Sequence, residues 1–291
     1  MIGTGPQSIS AANFVSNTIA NLTISNLTTG ACATNPSVAI LSAGGMLKVS
    51  GTLSFGNVNN ALLQTNDNLT LLSTATNTAC VADITNNSVN SNNTVEGKVV
   101  IERYIAARRA WRFLTAPVTA ASNVNISGSW QEGAVVTDPA ANTAGTNPAP
   151  GYGTHISLGY PVASPGYDLN ITGYTSIKYF TAAGLNGIPT ATNTGNIIDQ
   201  SGYFLFVRGS RSTQLSLGTA APLTATVLRV KGFINTGLKN IVLNPGLRSG
   251  SSRFRVVNNP YPSAIDFHKL LQNPTNAVLV AVDNNVRLSF V

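Results

Sequence analysis

Apolar and polar residues alternate along most of the chain. Asn21-Leu22-Thr23-Ile24-Ser25, Met46-Leu47-Lys48-Val49-Ser50 and Asn68-Leu69-Thr70-Leu71-Leu72 each carry the period of two that sends one row of strand side chains inward. They recur at about 22–25 residue intervals, the length of one coil of a β-solenoid. Leu22 and Ile24, Leu47 and Val49, and Leu69 and Leu71 are therefore expected to stack as an inner ladder. Shorter apolar runs between them would form the other faces. Gly44-Gly45, Gly51, Gly56 and the many Asn residues supply corners where φ turns positive. An ordinary sandwich with irregular strands is the alternative.

Beyond residue 96 the pattern still reads as strands. Lys98–Ile105, Trp111–Val118, Ser176–Phe180, Gly202–Gly209, Ala225–Phe233 and Phe254–Tyr261 are β-branched or aromatic and separated by turn residues. One short helix is predicted near 263–272, with Ser263 as its N-cap and Asp266 in its first turn. The Gly-, Pro-, Ala- and Thr-rich stretch 138–165 reads as a long loop. The predicted fold class is all-β: a short β-solenoid-like repeat region over 1–95, followed by a jelly-roll-like β-sandwich over 96–291.

Charge sharpens that division. Before Glu96 the only charged side chains are Lys48, Asp67 and Asp83; after it Arg and Lys are frequent. A length of 291 residues suits two domains, and 43% hydrophobic residues can build cores despite a charged fraction of 9%. The net charge of +7 is modest for this length, and Lys clusters are lacking, which argues against nucleic acid as a partner. No apolar run is long enough to span a membrane, and residues 1–20 do not resemble a signal peptide. Low charge and Asn/Thr-rich repeats point to an extracellular or cell-surface location. Cys32 and Cys80 fall about two coils apart, and coils stack at roughly 4.8 Å. That is beyond disulfide reach, so free thiols are expected.

Candidate chemistry is sparse. Arg103, Arg108, Arg109 and Arg112 are threaded with Tyr104, Trp111 and Phe113. Arg103 and Arg112 are expected to be at least partly buried and to meet acids or backbone carbonyls, and Arg109, Trp111 and Phe113 to share a strand face. The two histidines do not form a triad: Ser263, Asp266 and His268 would diverge on one helix. His155 lies in a glycine-flanked loop. Glu132 beside Trp130 is an acid next to an aromatic platform, so Trp130, Glu132 and His155 are weak glycan-contact candidates. No spacing points to a metal or cofactor, and none is expected.

Several stretches occur in a recognisable order: "GKVVIERYIAARRAWRFLTAPV" (97–118), "SWQEG" (129–133), "GYGTHI" (151–156), "GYD" (166–168), "SIKYF" (176–180), "GYFLFVRGSR" (202–211) and "NNPYPSAIDF" (258–267). This set resembles a recurrent module of large secreted surface proteins of Bacteroidota, which usually end in a type IX secretion sorting domain. The segment before it, "GTLSFGNVNNALLQTNDNLTLLSTATNTACVADITNN", also resembles what precedes that module. The resemblance implies an extracellular, adhesin-like, β-rich protein without supplying a reaction. No sorting domain follows Phe267, and both ends read as interior, so a piece of a longer polypeptide is expected. Within these motifs Arg103, Trp111, Arg112, Trp130, Arg208, Pro260, Tyr261 and Pro262 are assigned structural roles. The expected function is a non-catalytic surface module, structural or adhesive, partnered by further copies, adjoining modules or surface glycans. The rival is a carbohydrate-binding or glycan-processing accessory domain.

Overall fold

The structure, a computed structural model, describes residues 2–3, 5–26, 36–133, 150–158, 166–168, 174–181, 184–187, 192–195, 202–237, 239, 259–266 and 269. In chain order the first strands are β1 (Ile2–Gly3), β2 (Gln7–Ile9), β3 (Thr18–Ile19), β4 (Leu22–Asn26), β5 (Val38–Ile40) and β6 (Leu47–Val49). Then come β7 (Thr52–Phe55), β8 (Leu62–Gln64), β9 (Leu69–Leu71), β10 (Cys80–Val81), β11 (Thr94–Glu96) and β12 (Val99–Ile105). The rest are β13 (Ala110–Leu114), β14 (Ile177–Thr181), β15 (Gly184–Gly187), β16 (Tyr203–Val207) and β17 (Thr226–Gly232).

The first twelve strands fall into three sheets that the chain visits in turn. Their orders are β1-β4-β7-β10, β11-β8-β5-β2 and β17-β12-β9-β6-β3. Pairing among these twelve is parallel; β17 alone joins antiparallel, with Val99 beside Gly232 and Ile105 beside Thr226. Alternation works as the pattern requires: in β4 Leu22, Ile24 and Asn26 are buried and Thr23 is exposed. The phase of the predicted ladder is wrong, however. Leu22 stands beside Leu53, whereas Leu47 stands beside Leu69 in a different sheet. The three similar segments thus occupy two sheets, because the corners between strands differ in length.

Those corners explain the Asn-rich composition. Asn60, Asn66, Asp67, Asn86, Asn87 and Asn92 all adopt positive φ, which Asn and Asp tolerate better than other side chains. Others work inside. Buried Asn93 donates to the Val58 and Ile84 carbonyls and accepts from the Ala61 N–H, so a backbone that turns away from its ladder stays hydrogen-bonded.

The predicted fold class needs correction: a β-solenoid followed by a jelly-roll sandwich is not the architecture. Parallel and antiparallel pairing are mixed, and β12 carries the third sheet across residue 96 onto β17. Parallel sheets ordinarily come with helical crossovers in α/β folds; among the described residues the crossovers here are loops and 3-10 turns. In the second region β13, β16, β14 and β15 form one four-stranded antiparallel sheet, while β12 and β17 belong to the third sheet. One continuous apolar core runs from Ile9 to Ile234 and joins both regions.

Candidate functional site

Motif residues far apart in sequence meet at one buried point. Asp168 and Arg211 are each 1% exposed. Arg211 Nη2 donates to Asp168 Oδ1 at 2.8 Å and Nη1 to Oδ2 at 2.9 Å, the bidentate geometry that suits guanidinium and carboxylate. Gln131 Nε2 donates to Asp168 Oδ2 at 2.9 Å and the Ile156 N–H to the same oxygen at 2.8 Å. Three of these donors converge on Oδ2 and one on Oδ1, and His155 adds a further hydrogen bond to the carboxylate. Arg211 Nη1 also donates to the Thr154 carbonyl, and Asn193 Nδ2 donates to Gln131 Oε1. His155 Nε2 lies 2.8 Å from the Arg211 carbonyl, which can only accept, so this nitrogen carries a hydrogen. Its Nδ1 stands 3.6 Å from Asp168 Oδ1. Burial alone would raise the Asp168 carboxyl; His155 and Arg211 outweigh it and hold the group well below the carboxylate range.

Two glycines make this approach possible. Gly153 has φ +64, and a Cβ there would meet Glu132 Cγ at 2.7 Å and the Trp130 carbonyl at 2.9 Å. Gly166 has φ +85, and a Cβ there would overlap Asn193 Oδ1 at 1.8 Å. A side chain at either position would force the network apart.

A second ionic group lies alongside. Arg229 Nε donates to Glu132 Oε1 at 3.1 Å and Nη2 to Oε2 at 2.5 Å, and the guanidinium sits 3.9 Å from the Tyr152 ring centroid. Glu102, across the ladder from Arg229, is buried and accepts from the Ser73 N–H at 3.2 Å. Burial raises its carboxyl; the Ser73 bond opposes this only in part.

The cationic stretch behaves differently from expectation. Arg103 is exposed, not buried, and Arg112 is half-buried with Nε sealed from solvent and without a hydrogen-bond partner. Neither meets a described acid. Arg109 donates Nη1 to the Gly218 and Thr219 carbonyls at 3.0 Å, and Nη2 to that of Ala221. Trp111 and Phe113 do share a face, where both contact Phe204. Arg208 lies over Phe206 at 5.1 Å.

The proline-rich segment is a corner packed on the parallel sheets. Pro260 and Pro262 are buried. The Val81 N–H of β10 donates to the Pro262 carbonyl at 3.3 Å, and Asn235 Nδ2 to that of Pro260 at 2.9 Å. Tyr261 Oη donates to the Gly237 carbonyl at 2.7 Å. The predicted cap is misplaced: Ser263 sits in a bend, and Asp266 Oδ1 accepts from the Lys269 N–H at 3.1 Å. Most of the predicted helix, including His268, lies outside the described residues. A cavity of about 1250 Å³ opens beside this corner, lined by Cys80, Glu102, Phe113, Leu228 and Tyr261 among others.

The structure also revises the glycan-contact candidates. Trp130 is 2% exposed and packs edge-on to buried Tyr203 at 5.7 Å, His155 is 1% exposed, and Glu132 is engaged by Arg229. None presents a surface to a sugar. The residues that do converge, Gln131, Asp168, Asn193, Arg211 and Arg229, were not singled out from sequence. All but Asn193 and Arg229 lie inside the ordered motifs, but alternation cannot say which distant acid meets which arginine. Cys80 is a free thiol, and Cys32 lies outside the described residues. Among the described residues no three His, Cys, Asp or Glu side chains gather as a metal would require, and no helix is long and apolar enough to cross a membrane. No family model, curated protein or solved structure matches the chain.

Proposed function

We propose that this chain is a non-catalytic module of an extracellular surface protein, with a structural and adhesive role. The observation that carries the reading is the Asp168 network. Its polar side chains spend their hydrogen bonds on one another inside the fold, so Gln131, Asp168 and Arg211 serve architecture. Resemblance to secreted surface modules of Bacteroidota, usually exported by type IX secretion, supports the location. The open strand edges support an assembly role: β1, β2 and β3 each end a sheet, and no described strand pairs beyond them. Within a longer chain an adjoining module would cover them; in the purified chain their partner is a second copy of this one, giving a fibre. The test is sedimentation and electron microscopy of the purified chain across a concentration series. Rods or oligomers that lengthen with concentration are expected. A chain that stays monomeric at millimolar concentration overturns the structural half of this reading.

A further inference from the structure

The sheet β13-β16-β14-β15 has two unlike faces. Tyr203, Leu205, Val207 and Ile177 are buried on one side. The other carries Trp111 and Phe113 from β13, Phe204 and Phe206 from β16, and Lys178 from β14, which stands beside Phe204. Trp111 stacks on Phe204 with centroids 4.6 Å apart and meets Phe206 at 5.5 Å; Phe113 meets Phe204 at 4.7 Å and is 45% exposed. Cations border these rings. Lys178 Nζ lies 5.6 Å from the Trp111 centroid and Arg208 5.1 Å from that of Phe206. Among the described residues no carboxylate pairs with either.

Arg208 is the anomaly. Arg208 follows Val207 and Arg109 precedes Ala110 at the end of the β13–β16 ladder, and the like charge of Arg109 bears on Arg208, which costs stability. Arg109 is satisfied by three carbonyls, whereas Arg208 Nη1 is sealed and unpartnered. Burial lowers the Arg208 guanidinium to about 10; Asp168 opposes this and Arg109 adds to it. A partly buried cation with no carboxylate in contact and no hydrogen-bond partner for Nη1, beside half-exposed rings, is poor architecture. It is well placed for a ligand with negative charge on an otherwise apolar face.

We propose that this aromatic and cationic face binds an acidic polysaccharide. The C–H faces of its pyranose rings pack against Trp111, Phe113 and Phe204, and its carboxylates reach Arg208 and Lys178. The inference names a ligand for the adhesive part of the surface-module reading and rests on it. A polyuronate fits the charge without needing the Lys-rich surround that nucleic acid requires. The test titrates the full chain with polygalacturonate, with neutral dextran and a single-stranded oligonucleotide as comparators. Saturable binding to polygalacturonate that weakens with salt is expected, about tenfold or more tighter than to either comparator. Arg208→Gln, Lys178→Gln and Phe113→Ser should each weaken it by about five- to tenfold. Arg208→Gln should melt no lower than the parent, which a structural arginine would not allow; if it unfolds, the two surface variants carry the test. Absent or equal binding to the three polymers, preference for the oligonucleotide, or variants that bind like the parent overturns the proposal. Chains that form rods yet ignore polygalacturonate lose the ligand and keep the module reading; chains that bind it as monomers do the reverse.

Discussion

Asp168 and Glu102 are both buried carboxylates, and their surroundings push them in opposite directions. Asp168 has a bidentate guanidinium and two further donors, so its charged form is favoured. Replacing it with Asn leaves Arg211 buried and unpaired, which should cost about 3–5 kcal/mol in chemical denaturation at neutral pH. Because its folded pKa is depressed, this contribution is complete above the ordinary carboxylate range near 4 and fades as pH falls below it. The gap between parent and Asp168→Asn should therefore narrow on acidification; a gap independent of pH would refute the account. Glu102 has one backbone donor and is pushed up by burial. Its charged form burdens the fold, and the burden grows as pH rises through its raised pKa. Glu102→Gln keeps an acceptor for Ser73, so its melting temperature should gain on the parent between pH 4 and pH 8. Neither role was legible in the sequence. Arg211 and Asp168 are 43 residues apart, and only the closed fold makes them neighbours.

At the scale of elements, the alternating pattern located strands well because it depends only on neighbours two residues apart. Val99–Ile105 is a strand within the predicted Lys98–Ile105, and so is Tyr203–Val207 within the predicted Gly202–Gly209. Pairing was not legible, since partners are chosen by the corners between strands: the chain turns at positive-φ Gly44 and Gly45 on its way from Leu22 to Leu53, and Leu22 pairs with Leu53 and not with Leu47. The proline corner shows both outcomes. Among the described residues no strand runs through Pro260 and Pro262, as their fixed φ requires, yet the side chain that makes a capping bond is that of Asp266, which accepts from the Lys269 N–H. Asp266→Ala should therefore cost about 1 kcal/mol and Ser263→Ala close to nothing, read from paired urea melts. A larger loss at Ser263 would restore the original assignment. Tyr261→Phe removes the bond to the Gly237 carbonyl and should cost about 1 kcal/mol in the same melts.

Across the whole molecule, the two sides of the stacked parallel sheets are treated unequally. On one side β17 covers β12, and Pro262 accepts from β10. On the other β1, β2 and β3 have no described strand beyond them. In β2 the Gln7 N–H bonds to Ser37 and the Ile9 carbonyl accepts from Leu41, so these two residues face β5 and Ser8 directs its N–H and C=O outward. Ser8 is exposed. An open edge of this kind pairs with another strand unless something blocks it. Ser8→Pro removes the outward donor and spares the bonds to β5, because proline lacks only its own N–H and keeps Gln7 extended. Ser8→Lys adds a charge at the same place. If edge pairing drives assembly, both variants should melt within about 1 kcal/mol of the parent and shift its concentration-dependent scattering towards monomer, the proline more completely. Assembly undiminished by either change would place the contact elsewhere on the surface, on the aromatic face first, where polygalacturonate should then compete with it.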